Sequence, residues 1–111
     1  MLPRSHKLSA HDVVYIMEKG RVAHSPLFTL RWVPAEGHTR ISAIVPKKTA
    51  KMAVGRTGLR RKIYHALREL YPRIVSGFKI AVLAKTSATD LTQEEIARGI
   101  TEAFSKARLI A

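Results

Sequence analysis

Apolar residues in this chain keep two rhythms, and each change of rhythm marks an element. Between positions 8 and 20 the rhythm is helical. Ser9 stands as an N-cap with Asp12 placed to return its bond, Leu8 and Val13 form a staple, Val13, Ile16 and Met17 carry the helix, and Gly20 stops it. From 27 to 33 the rhythm is alternation, with Phe28, Leu30 and Trp32 on one face and Thr29 and Arg31 on the other. A second alternating run, 39–45, turns Ile41, Ala43 and Val45 inward. Pro34 and Gly37 predict a turn between the two runs, which makes them a hairpin closed by Pro46; a shorter strand fits 22–24. Leu59, Ile63, Ala66, Leu67 and Leu70 then recur at helical spacing until Tyr71-Pro72. The unbroken run FKIAVLA at 78–84 reads as a buried strand. Leu91, Thr92, Glu95 and Ile96 open a last helix that turns Ile96, Ile100, Ala103, Phe104 and Ala107 inward.

The order is therefore αβββαβα in a single domain spanning 1–111: an α+β, two-layer sandwich with a mixed four-stranded sheet. A helix joins the third and fourth strands as a crossover, so helices cover mainly one face. The opposite face, with Thr29, Arg31, Ser42 and Ile44, stays partly open, and the first helix forms one wall of a cleft beside it. Residues 1–7 are read as a short, mobile, basic segment. The start of the middle helix is the least defined boundary, because Gly55 and Gly58 each cost a helix interior roughly 1 kcal/mol against Ala. Thr57 is a cap for a helix that leaves Arg56 in the loop; the other reading starts the helix near Thr49.

Charge changes the picture most in this middle region. Lys47, Lys48, Lys51, Arg56, Arg60, Arg61, Lys62 and Arg68 occur with no acid before Glu69. Arg60, Arg61, Tyr64, His65 and Arg68 fall opposite the apolar stripe, which gives a helix with one face to dock and a cationic face in solvent. With 20 Lys and Arg against 8 Asp and Glu the chain carries +12, and clustered like charge is relieved by a polyanion. Half of the acids lie in or just before the last helix, so that helix is not the polyanion face. The N-terminal MLPRSHKLSA has no apolar core and no segment matches a membrane span, which favours nucleic acid over a membrane. The absence of Cys fits a cytoplasmic protein. His6, His11, His24, His38 and His65 have no ligand spacing, and Asp12, Glu18 and Glu36 lie far apart, so no metal site or catalytic constellation of a self-sufficient nuclease is present. Nor is there a helix-turn-helix pattern.

Over nearly its full length the chain resembles the protein subunit of bacterial ribonuclease P. The likeness rests on the capped first helix ending in Lys19-Gly20-Arg21, the 27–33 strand, and Val45-Pro46-Lys47-Lys48. It continues through Ala53-Val54 before an arginine-rich helix and Ile80-Ala81-Val82-Leu83-Ala84-Lys85. The resemblance implies the fold of ribosomal protein S5 domain 2, with a left-handed βαβ crossover against the usual rule. It implies a protein with no catalytic residues of its own and no evident obligate protein partner. Ribonuclease P RNA with bound Mg2+ would remove the 5′ leader of precursor tRNA. The protein would bind that RNA through Lys47, Lys48, Lys51, Arg56, Thr57, Gly58, Arg60, Arg61, Lys62 and Arg68. It would hold the leader in a cleft of Val13, Met17, Thr29, Arg31, Ser42 and Ile44.

Thr57 and Gly58 stand where the family signature has asparagine and arginine. Val13 and Met17 replace aromatic cleft residues and are expected to pack as ordinary core, while Arg31 replaces a frequent tyrosine. Gly58 either marks a decayed signature or, as the favoured reading, holds a positive-φ backbone or touches RNA directly. The alternative is a small basic ribosomal or other structural RNA-binding protein, which fold alone does not separate from the first reading.

Overall fold

Two of the three helices begin at their cap residues. In the computed structural model, which describes residues 6–111, Ser9 Oγ accepts from the Asp12 N–H and the Asp12 carboxylate accepts from the Ser9 N–H, opening α1 (Ala10–Lys19). Thr92 and Glu95 exchange the same pair of bonds at α3 (Gln93–Lys106), and the bond from Thr92 holds the Glu95 carboxyl below its ordinary range. Gly20 ends α1 with φ of −74°, not in the left-handed region. Glycine is needed there for space, since a Cβ would lie 2.5 Å from the Ile16 carbonyl oxygen and 3.2 Å from that of Trp32.

The middle helix α2 (Ala53–Leu70) corrects both readings of its start. It begins four residues before Thr57, and its N-cap, Met52, provides no side-chain bond. Loop anchors set the boundary instead. The Thr49 hydroxyl is buried and donates to the Ala84 carbonyl at 2.9 Å. From the first turn of α2, Arg56 Nη1 reaches back to the carbonyls of Ala50 at 3.1 Å and Lys51 at 2.8 Å. Fixed at both ends, the loop turns the chain into the helix early, and the docking of Leu59, Ile63 and Leu67 outweighs the weak propensity of Gly55 and Gly58.

The strands are β1 (Arg21–His24), β2 (Phe28–Pro34), β3 (Arg40–Ile44) and β4 (Phe78–Ala84), in the sheet order β1-β2-β4-β3. β2 and β3 follow one another closely in sequence but do not pair, so the predicted hairpin is corrected. β4 lies between them, antiparallel to β2 and parallel to β3, with Val82 flanked by Leu30 and Ala43. The cause is β4's composition: Ile80, Val82 and Ala84 face the helices and Ala81 faces α1, all buried, and only an interior strand gives an apolar run cover on both faces.

Most of the core lies between the sheet and the α2–α3 layer, where Phe28, Leu30, Ile41, Ile80 and Val82 meet Ile63, Leu67, Ile96, Ile100 and Phe104. The other face holds a smaller cluster of Ile16, Val33 and Ala81 under α1. An ion pair of 2.7 Å between Lys79 Nζ and Asp12 Oδ1 ties α1 to β4, and Lys79, foremost, holds the Asp12 carboxyl down at about 2. α1 thus crosses the open face on few contacts and leaves a hollow beside it.

Candidate nucleic-acid interface

The basic face of α2 is narrower than the sequence implies. Arg61, His65 and Arg68 project into solvent and Arg60 is half-buried. Tyr64, expected among them, is buried, and its hydroxyl accepts from the Ala43 N–H at 3.0 Å. The reason is topological: β3 is an edge strand, and an outward N–H under a helix needs a partner that only a side chain can supply. Thr57, Arg60, Arg61 and Tyr64 follow one stripe of the helix and line a hollow of about 230 Å³.

Two residues predicted to contact RNA also bond within the fold. Lys62 Nζ donates to the Leu91 carbonyl at 2.7 Å while Gln93 Nε2 donates to the Lys62 carbonyl at 2.9 Å, clasping α2 to the start of α3. Arg56 is engaged with the loop carbonyls. Lys47, Lys48 and Lys51 are exposed along that loop. Gly58 is an ordinary helical residue with no positive φ, and a Cβ there would meet nothing within 4 Å. The expectation of a special backbone at this glycine is corrected.

On the open face a hollow of about 400 Å³ is lined by Met17, His24, Thr29, Arg31, Lys48 and Lys85, among others, and among the described residues no acid lines it. Arg31 Nη1 donates to the Met17 carbonyl at 3.4 Å, which leaves most of its guanidinium toward the hollow. His24 Nδ1 lies 3.1 Å from Thr29 Oγ1, and Lys85 Nζ donates to the Ser25 carbonyl at 2.6 Å. Of the predicted cleft residues, Met17, Thr29 and Arg31 meet here. Met17 is 39% exposed, so it is not core: α1 buries Ile16 alone, and its neighbour falls on the rim. Val13 is half-buried and off the lining. Ser42 accepts from the Leu8 N–H at 3.0 Å, and Ile44 packs against the cluster under α1, so both lie under the chain that covers them.

A family model for ribonuclease P matches residues 2–108. The chain belongs to the ribonuclease P protein family. The ribonuclease P protein component of Microcystis aeruginosa is 29% identical, over 98% of this chain and 96% of that protein. That of Synechococcus elongatus is 31% identical, over 84% of this chain and 86% of that one. Among solved structures, a Staphylococcus aureus RNase P protein mutant with defective mRNA degradation activity superposes with a TM-score of 0.87 at 22% identity, covering 96% of this chain and 92% of that one. The Thermotoga maritima RNase P protein gives 0.81 at 17% identity, covering 95% and 98%. These two likenesses show a shared fold. As a ribonuclease P protein component, the chain is part of a tRNA-processing endoribonuclease that is assembled with RNA.

For a ribonuclease P protein the missed residues are informative. Lys85 brings a cation and His24 an imidazole to the hollow, and neither was among the predicted cleft residues. Pairing β1 with β2 places His24 opposite Thr29, and Lys85 directly follows β4, so strand register is the signal that finds them.

Proposed function

We propose that this chain binds ribonuclease P RNA through the exposed cations of α2 and the preceding loop, and holds the 5′ leader of precursor tRNA in the cationic hollow beside α1. The observation that carries this reading is that Arg31, Lys48 and Lys85 line one hollow of about 400 Å³ with no acid among its lining residues. The chain's own work is neutralising phosphate and orienting the strand, since positive charge placed in advance removes repulsion that would otherwise oppose docking of two polyanions. Among the described residues no three His, Asp or Glu side chains come together as a metal-holding group. We assign the Mg2+ ions to the RNA, where they supply activation of water and stabilisation of the leaving oxygen. Among the described residues no helix is long and apolar enough to cross a membrane, and we place the protein in the cytoplasm with its RNA.

The test is reconstitution. Protein purified free of RNA should leave precursor tRNA intact, and adding ribonuclease P RNA should give cleavage at a lower magnesium concentration than RNA alone requires. Specific cleavage by rigorously RNA-free protein would overturn the reading.

A further inference from the structure

Residues 6–8 run as a strap beside the β3 edge, and each of the three has its own partner. The His6 ring stacks on Tyr71 with centroids 4.5 Å apart and planes at 11°. Leu8 donates its N–H to Ser42 and packs beside the Ile16 cluster. Between them Lys7 extends over Tyr64, its Nζ 4.9 Å from the ring centroid. The partners are themselves fixed: Tyr64 bonds the β3 backbone, and Tyr71 donates its hydroxyl to the Thr39 carbonyl. Of the segment 1–7 expected to be mobile, His6 and Lys7 make these ring contacts, and residues 1–5 lie outside the described residues.

Pinning a cation here needs a reason. Lys7 rests on the same ring that lines the hollow with Thr57, Arg60 and Arg61, in a chain already at +12. A stacked ammonium gains modestly from the ring face, but holding one more cation on a ring that also borders two arginines adds repulsion. A phosphate reverses that sign, because each added cation then strengthens the seat. We propose that Lys7 and the Thr57–Arg60–Arg61 hollow form one seat for a backbone phosphate of the RNA partner, with Tyr64 as the wall that positions the lysine. This rests on α2 being the RNA-binding face, and it adds a contact from the other end of the chain.

The experiment measures binding of the full chain to a ribonuclease P RNA transcript between 50 and 200 mM salt, for Lys7→Gln, Lys7→Arg, Arg61→Ala and Glu94→Ala. A lysine on a phosphate contributes about one unit of salt slope, so Lys7→Gln should bind more weakly at 50 mM and close roughly threefold on the wild type by 200 mM. Lys7→Arg should keep affinity and slope, and Glu94→Ala, on α3, should match the wild type. If Arg61→Ala lowers affinity and slope while Lys7→Gln leaves both unchanged, the seat is wrong and the α2 face stands. If neither changes anything, the α2 face falls as well.

Discussion

Gly58 offers the most direct test of how α2 is built. It is exposed and helical, and beyond its chain neighbours and its own helix backbone no atom lies within 4 Å of the position a Cβ would take. Gly58→Ala therefore adds no clash and removes only the entropy that glycine loses on entering a helix, about 1 kcal/mol. For a chain of 111 residues that corresponds to a rise in Tm of about 4 °C. Gly20→Ala is the opposing control: its Cβ would lie 2.5 Å from the Ile16 carbonyl oxygen, so backbone must shift at a cost of about 1–3 kcal/mol. Thermal melts followed by circular dichroism read both. A Gly58→Ala melt at or below the wild-type temperature would refute the reasoning, because nothing else at the site opposes the gain. Gly58→Arg extends the test: it should also stabilise the chain, and with open space around it the new cation should tighten binding to the RNA. Weaker binding in a more stable variant would mean that RNA lies directly on the backbone at residue 58.

Three further outcomes follow from the contacts. Asp12 has a carboxyl held at about 2 against an ordinary 3.8, so its contribution is present above about pH 4 and is lost as pH falls through about 2. Asp12→Asn should cost about 1–2 kcal/mol at neutral pH, after allowance for the partly exposed Lys79, and urea titrations should show the gap closing near pH 2. Arg56→Ala should loosen the loop without melting the helix, seen as roughly tenfold faster tryptic cleavage after Lys51, in line with about 1.4 kcal/mol for a charged bond; unchanged cleavage would remove its role as a loop anchor. Tyr64→Phe should lower stability by about 1–2 kcal/mol by stranding the Ala43 N–H while leaving the ring under Lys7, so RNA affinity of the folded protein should hold.

Elements governed by local chemistry were legible in the sequence. Ser9 with Asp12 and Thr92 with Glu95 are complete capping signals within four residues, and the alternation of 28–33 fixed which face Arg31 takes. Features that depend on a distant partner were not. Thr57 looks like a cap, yet α2 starts at Ala53 because Thr49 is held by Ala84, 35 positions away. Tyr64 has the spacing of the cationic face, but an unpaired N–H on β3 draws it in. The same limit applies to the site. Arg60 and Arg61 could be placed from helical spacing, whereas Lys62 and Arg56 carry the same charge and are occupied by carbonyls that no local pattern reveals. Ser42 was on the right face, but the crossing of Leu8 over it is a tertiary fact.

The insertion of β4 between β2 and β3 also sets the timing of assembly. β3 ends at Ile44, but its strand partner among the described residues is completed at Ala84, so the ribosome must add 40 more residues before the two pair. At roughly 5–20 residues per second, β3 waits about 2–8 s. Over that interval the nascent chain exposes apolar strand faces together with the lysines of the loop. Helix α2 lacks its docking surface until the sheet beneath it is complete, which makes closure of β4 the step that completes the binding surface. Slowed synthesis between residues 45 and 84 should therefore lengthen the period in which the half-made chain is open to proteolysis or to premature capture by nucleic acid.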